Sequence, residues 1–437
     1  MYPIPCELRL SDGRVASIHF DFTGSPAMDS PTIQCPTAAQ AATPPAQSVP
    51  TARFAAMVAV AVLPLYASQT LIGPLDASLH LGAWTTLVTA LTLFGYAVGL
   101  VGLVPLIDRL PNRPLIAATL FAQIACLALA AIAPLAPVFL AASFAVGVTS
   151  SVVQMLVPAA ASLAPPASRG KVVGNVMSGL MLGILLSRPL ASVIGGALGW
   201  RAFYAADALL LAAVTLVVVP RLPDSRPVGT PPYAALLASM VRLVAHEPVL
   251  RRRALYQGLL MAGFNAFWSS VAIVLTRVPL GLNSTSVALF ALAGGGSVFI
   301  APLAGRAGDR GWSKPASMLA HAVAIAAALL AALALTSGVS RVASITMLAV
   351  AAFFIDGGAI ADQALGRRAI NLLAPESRGR VNGLYTGLFF VGSAVGATIA
   401  GPALARWGWT GVCVAALGFF AAAAGLHLRD SSRGCDT

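Results

Sequence analysis

Three charged residues, Arg188, Asp356 and Asp362, stand out among the few that fall inside apolar stretches long enough to cross a bilayer. An ion buried at such depth costs on the order of several kcal/mol, so it marks a pathway or a paired site. Arg188 lies about two-thirds along its stretch and needs a counter-ion or a wet cavity. Asp356, near or past the middle of another stretch, is the expected partner, and Asp207 competes for the same role. Protonating the aspartate of such a pair would free the arginine for an anionic or polar substrate, which links proton movement to transport. The alternative is a static buried ion pair. Gln363 stands at i+7 from Asp356 and shares its helix face. Asp362 lies about 9 Å along the axis and about 120° around it, where Arg367 or Arg368 could pair with it, and reads as structural.

Weaker polar candidates surround this pair. Gln154 and Gln363 could reach a substrate from two sides, although glutamines at membrane depth also serve as plain interhelical hydrogen-bond partners. Tyr66, Gln69, Asn265, Phe267 and Trp268 would give an aromatic and polar lining, with Trp268 alternatively in the core or facing lipid. Asp76 and His321 are expected near the membrane interfaces. The five cysteines are widely spaced, with no C-x-x-C pair or histidine partner, so free thiols are expected and neither a metal site nor a cofactor is indicated.

The elements that must position these side chains follow from composition. Of 437 residues, 58% are apolar and only 10% charged, which excludes an ordinary water-soluble enzyme. The apolar residues form twelve blocks, each long enough for a membrane-spanning helix, at about Phe54–Pro74, Trp84–Ile107, Pro114–Ala133, Ala136–Pro158, Val172–Gly196, Ala202–Val219, Ala254–Leu275, Ser286–Ala304, Pro315–Thr336, Val342–Leu365, Asn382–Ala405 and Trp409–Leu428. The net charge of +12 sits in short connections rather than on one continuous face, which points away from nucleic acid. Alternate connections carry 17 Lys and Arg on one side against Arg201, Arg277, Arg341 and Arg406 on the other, a bias that places both termini on the cytoplasmic side.

The chain therefore divides into an N-terminal extension over 1–52, a six-helix bundle over 53–220, a linker over 221–253, a second bundle over 254–428 and a tail over 429–437. The extension, rich in Pro, Ala, Thr and Gln, is expected to be disordered; it lacks the pattern of a secretory signal, and Met28 is an alternative initiator. In the linker, Tyr233–Ala245 is expected to lie as an amphipathic helix on the inner leaflet, with Arg251, Arg252 and Arg253 toward anionic headgroups; a plain solvated linker is the alternative.

The two halves repeat each other. Arg169-Gly170-Lys171-Val172 aligns on Arg378-Gly379-Arg380-Val381 at an offset of 209, which also sets Gln154 on Gln363 and Gly183 on Gly392. At an offset of 201, Asp108-Arg109 falls on Asp309-Arg310. The segment Gly305-Arg306-Ala307-Gly308-Asp309-Arg310-Gly311 is similar to the loop signature of the major facilitator superfamily, with its last glycine one residue early; its counterpart over Val104–Arg109 lacks the leading glycine. Tyr66, Gln69 and Pro74, Gly95-Tyr96 through Pro105-Leu106, and Met177-Ser178-Gly179 through Arg188-Pro189 resemble the bacterial sugar-efflux and drug:proton antiporter branch. The resemblance runs from about residue 53 to 428 and implies an all-α membrane protein, two pseudo-symmetric six-helix bundles rocking about a mid-membrane site, in a bacterial inner membrane and acting as a monomer.

That resemblance makes helices 2, 5, 8 and 11 the contact between halves, where Gly95/Gly99, Gly179/Gly183, Gly392/Gly396 and Gly294–Gly296 would give smooth faces, or else ordinary small-residue packing. It also suggests that Asp108 faces helix 11 and Asp309 faces helix 5, so that Asp108, Arg109, Asp309 and Arg310 would latch the inner gate. The buried acid in helix 1 and the arginine in helix 4 that are frequent in cation exporters of this superfamily are absent. Nor is there an H-E-x-x-H, a G-x-S-x-G or a P-loop, so catalysis is not indicated. The function expected is secondary active transport of a small molecule, by proton-coupled efflux of a sugar, metabolite or drug. A proton-independent facilitator or importer, or a sensor with the same fold, is the alternative.

Overall fold

The computed structural model describes residues 7–9, 15–17, 51–165, 168–222, 232–295, 299–336, 338–373 and 378–432. Within the extension, β1 (Glu7–Arg9) and β2 (Val15–Ser17) pair antiparallel with Leu8 opposite Ala16. That hairpin occupies part of the stretch expected to be disordered; most of the remainder lies outside the described residues, as do 433–437 of the tail.

The rest of the chain forms a separate compact unit of twelve spans. They are α1 (Thr51–Leu79), α2 (Gly82–Asp108), α3 (Asn112–Ile132), α4 (Ala136–Ser162), α5 (Arg169–Leu198), α6 (Trp200–Arg221), α7 (Pro248–Thr276), α8 (Ser284–Gly295 and Ile300–Asp309), α9 (Ser313–Leu333) and α10 (Arg341–Asn371). The stretch Arg378–Ser432 holds the last two, α11 (378–407) and α12 (409–432), parted by Gly408 at φ 63°. Twelve is even, so both ends of the bundle share one face, called here the tail face. Large apolar side chains such as Ile132, Leu198, Leu209 and Val342 point outward in numbers that only lipid can satisfy.

Several elements take their shape from single residues. Pro105 has no N–H to give and its ring crowds the preceding turn, and α2 winds as a π turn over Gly99–Leu103 and then a 3-10 turn over Val104–Asp108. Gly199 at φ 87° turns α5 into α6, and Gly408 turns α11 into α12. These glycines, with Trp200 and Trp409 after them, are themselves 209 residues apart and extend the internal repeat. Each turn is anchored to the third helix of its half. Arg201 donates to the Ala133 carbonyl at 2.9 Å, and Trp409 Nε1 to the Ala331 carbonyl at 2.7 Å.

Helix pairing is equivalent in the two halves: α1 packs on α5 as α7 does on α11, α2 on α4 as α8 does on α10, and α3 on α6 as α9 does on α12. The halves meet along α2–α11, α5–α8 and α1–α7. This agrees with the expected fold and seam, but most of the glycines assigned to the seam are elsewhere. A Cβ on Gly95 or Gly99 would strike Phe144 and Val148 of α4; one on Gly179 or Gly183 would strike Ala55 and Ala59 of α1; one on Gly392 or Gly396 would strike Gly258 and Ala262 of α7. These six hold each half together. Close approach of backbones inside a bundle, where van der Waals contact drives association, demands their missing side chains. Across the seam the small residues are Gly295 against Leu185, Gly196 against Ser284, Gly387 against Val101 and Gly401 against Ala83 and Thr86.

The linker helix Tyr233–His246 does lie across the tail face, but α7 begins at Pro248 and takes the arginine triplet into its first turns. None of the three is left for headgroups. Arg251 donates to the carbonyls of Val244 (2.9 Å) and Ala245, Arg252 lies 3.6 Å from Asp430, and Arg253 donates to Ser317 at 3.0 Å. The helix itself is tied to both halves, by Tyr233 donating to the Gly102 carbonyl at 2.6 Å and by Arg380 donating to Ser239 at 3.1 Å.

Candidate functional site

Close α1–α5 packing brings Arg188 to Gln69. Ser187 donates to the Leu63 carbonyl and Thr70 to the Arg188 carbonyl at 3.0 Å, which fixes the register of the two helices. Arg188 Nε then donates to Gln69 Oε1 at 2.7 Å. Gln69 is one link further on as well, for its amide donates across the seam to Asn265 Oδ1 at 2.9 Å, and Asn265 donates to the Met261 carbonyl of its own helix at 2.9 Å. The guanidinium carbon stands 4.1 Å from the ring centroid of Trp268, 5.2 Å from that of Tyr66 and 5.4 Å from that of Phe264. Aromatic faces of this kind stabilise a desolvated cation by about 2 kcal/mol.

Asp356 lies 15 residues from either end of Arg341–Asn371, at mid-span. Its Oδ1 accepts from Trp268 Nε1 at 2.6 Å. Gly294 makes room for it, since a Cβ there would stand 2.5 Å from Asp356 Oδ2 and 2.7 Å from Trp268 Cζ2. The expected direct Arg188–Asp356 pair is not made in this structure. The indole of Trp268 serves both groups, its face toward the cation and its N–H toward the carboxylate, and both residues are 5% exposed. Arg188 Nη2 is left buried without a hydrogen-bond partner. Asp207, the competing acid, is buried on α6 with neither oxygen hydrogen-bonded, and it takes no part in the cluster.

Six of the sequence candidates, Tyr66, Gln69, Arg188, Asn265, Trp268 and Asp356, thus converge at the seam. The two repeat-related glutamines do not join them. Gln154 donates to the Tyr96 hydroxyl at 3.3 Å, and that ring meets Phe390 edge-on at 4.7 Å; half-buried Gln363 has no hydrogen bond among the described residues. The gate residues are also differently placed from expectation. Asp309 pairs at 3.1 Å with Arg368 of α10, in its own half rather than with α5, and Asp108 is exposed with no ion pair among the described residues. Arg109 and Arg310 are exposed beside them.

The contacts along the seam are unevenly distributed. At the face opposite the tail face, Gly401 N–H donates to Thr86 at 3.0 Å and Ser192 to the Ser284 carbonyl at 2.8 Å. The α5–α8 contacts run from Gly196–Ser284 to Leu185–Gly295. Toward the tail face, a Cβ on Gly170 or Gly174 of α5, or on Gly305 of α8, would have nothing within 4 Å. The α5–α8 contacts made by these residues thus lie at the far face and mid-span, and the tail-face glycines of both helices are unpacked.

One cluster escaped the sequence reading. Asp362, expected to pair with Arg367 or Arg368, and His321, expected at an interface, are both fully buried and 3.5 Å apart. Asp362 Oδ1 accepts from Ser317 at 2.8 Å, while Arg368 turns to Asp309. The signal available was helical spacing: Ser317 and His321 at i, i+4 share a face of α9.

Residues 51–361 match the family profile of the Major Facilitator Superfamily. The chain belongs to the major facilitator superfamily. Within that superfamily it is 35% identical over 360 residues to the "Uncharacterized transporter YgaY" of Escherichia coli O157:H7, covering 82% of this chain and 89% of that one. It is 31% identical over 335 residues to the "Probable transporter SCO4007" of Streptomyces coelicolor, covering 76% and 75%. Its fold is similar to the crystal structure of a bacterial homologue of the human lysosomal transporter Spinster in an inward-facing, unoccupied conformation, with a TM-score of 0.67 at 16% identity over 89% of this chain and 98% of that one. The major facilitator superfamily fold carries secondary transport of a small molecule, and this member is not an enzyme.

Proposed function

We propose that this transporter exports a polar or anionic small molecule, a sugar, metabolite or drug, in exchange for protons, in the manner of the sugar-efflux and drug:proton antiporters. The observation that carries this reading is the buried chain Asp356–Trp268–Arg188–Gln69–Asn265, which draws on both halves where they meet. The halves rock about that seam, so every link that crosses it is remade in each cycle. Arg188, with one guanidinium nitrogen buried and unpartnered, is the group that takes the substrate's oxygens. Asp356 is the group that takes the proton. When Asp356 is charged it attracts the cation through the low-dielectric gap; when it is neutral, Arg188 is released to the substrate.

Tyr66, Gln69, Asn265 and Trp268 complete the binding surface, and Gln154 and Gln363 line the route from the tail face. In a bacterial inner membrane the positive-inside bias makes the tail face cytoplasmic, so the present arrangement is inward-facing. Asp108, Arg109, Asp309 and Arg310 form the inner latch when α5 and α8 close, with Asp309 leaving Arg368. The protein works as a monomer. The test is efflux from proteoliposomes loaded in turn with radiolabelled sugars, organic anions and amphipathic drugs under an imposed pH gradient. Arg188→Ala, Asp356→Asn and the double variant are expected to show equal, non-additive losses of gradient-driven transport. Independent losses, or transport indifferent to the gradient, would remove proton coupling at this pair.

A further inference from the structure

The tail-face half of the second bundle contains a set of buried ionisable groups that the mid-membrane chain does not use. His321 and Asp362 are fully buried and lie 3.5 Å apart, on α9 and α10. Arg253 of α7 donates to the Ser317 hydroxyl at 3.0 Å, and that hydroxyl donates to Asp362 Oδ1 at 2.8 Å. Tyr256 of α7 and His427 of α12 close over the imidazole, with ring centroids 6.2 and 5.3 Å away. Tyr385 of α11 reaches α10 at Gly366, one turn beyond Asp362, and its hydroxyl is buried without a hydrogen bond. The second carboxylate oxygen of Asp362 and both ring nitrogens of His321 likewise have no hydrogen-bond partner.

A purely structural ion pair would have its lone pairs and protons satisfied, because unsatisfied ones forfeit the desolvation that the pair must repay. Here Asp362 Oδ2, both His321 nitrogens and the Tyr385 hydroxyl all go without a partner. With a neutral imidazole, the balancing charge for the Asp362 carboxylate is Arg253, behind the Ser317 hydroxyl. A proton on the ring gives the carboxylate a second, direct counter-charge at 3.5 Å. Arg253 lies five residues from the tail-face start of α7, so the Arg253–Ser317 link stands on the tail-face side of the acid. In the other direction, Asp362 stands six residues, or about 9 Å, from Asp356 on the same helix. Between those levels lies fully buried Gln257, which donates to the Ala359 carbonyl at 3.2 Å and has an unpartnered Oε1.

We infer that His321 and Asp362 form a second proton-binding site, in which a proton taken from the tail-face water is held on the His321 imidazole with Asp362 as counter-charge. All of its groups belong to one bundle, so rocking leaves it intact and a bound proton travels with that bundle. Its part in the transport cycle, as the station that fills and empties Asp356, rests on the antiport reading above; the binding of the proton does not.

The experiment follows the ring nitrogens of His321 by 15N NMR in full-length protein labelled at histidine and reconstituted in phosphatidylcholine vesicles. The expected result is one resonance, absent in His321→Gln, that reads as imidazolium at the acid end of a pH series and as neutral imidazole at the alkaline end. Asp362→Asn should move that passage to lower pH by about one unit or more, because the counter-charge is gone. If Asp362→Asn does not fold, Ser317→Ala, which removes the hydroxyl that holds the carboxylate, should shift the passage by a smaller amount. Asp356→Asn should leave it in place. A His321 ring that stays neutral throughout, or one whose titration ignores both Asp362→Asn and Ser317→Ala, overturns the site while leaving the antiport reading untouched. A normal His321 titration beside additive Arg188 and Asp356 transport defects overturns the antiport reading alone.

Discussion

The two halves share a packing plan and differ in chemistry. At the offset of 209, Gly183 answers to Gly392, Gly199 to Gly408 and Trp200 to Trp409, and the helix pairs built on them correspond. The buried ionisable residues have no such counterparts. Arg188 falls opposite Ala397, Asp356 opposite Gly147 and Asp362 opposite Val153. Gly147 could not have been an acid, because a Cβ there would strike the Thr92 carbonyl. Backbone contact constrains both copies equally, whereas a proton or a substrate needs only one carrier, so charge is free to collect in one half. The second bundle carries Asp356, Asp362, His321, His427 and Arg253 buried; the first carries Arg188, facing the second, and the isolated Asp207.

That contrast can be broken at its packing side first. Gly183→Leu and Gly396→Leu should each abolish the folded, monodisperse protein on size-exclusion chromatography, since the added side chains would fall on the backbones of Ala59 and Ala262. Tolerance in one half only would show that the shared plan is not equally demanding. The chemical side predicts inequality instead. Asp356→Asn should lower gradient-driven transport tenfold or more, about 1.4 kcal/mol, while Asp207→Asn should leave transport intact, because Asp207 has no partner in the cluster. A transport defect in Asp207→Asn would place a working acid in the first half.

Smaller effects test the seam. Ser192→Ala removes one hydrogen bond to the Ser284 carbonyl, about 1 kcal/mol. It should shift the balance toward opening at the far face by a factor of about five, read from the labelling rate of a cysteine placed beside Ser284. Asp309→Ala should change stability by less than about 1 kcal/mol, since its carboxylate is 75% exposed in the pair with Arg368. Transport should nevertheless fall if Asp309 also serves the closed latch, and an unaltered rate would dismiss that role.

The twelve spans, the seam helices and most members of the central cluster were legible because hydropathy and charge at membrane depth are one-dimensional signals. Arg188 and Asp356 stood out as rare ions, and Gln69, Asn265 and Trp268 as polar or amphipathic groups on facing spans. What was not legible was lateral. Sequence spacing shows that Gly179 and Gly183 share a helix face, but not that the face meets α1 instead of the other half. Likewise it gives the depth of His321 but not the approach of α10, which turns an interfacial residue into a buried one. Arg188 and Asp356 are visible as ions at membrane depth, but no one-dimensional signal shows the Trp268 indole that stands between them.

The corners at Gly199 and Gly408 contain no spare chain. One left-handed residue ends a helix and starts the next, so each of these hairpins behaves as a splint: its two arms tilt together or not at all. A protease working from that side would meet no strand to cut there, and a foreign epitope spliced into either corner would have to unravel a membrane helix in order to show itself.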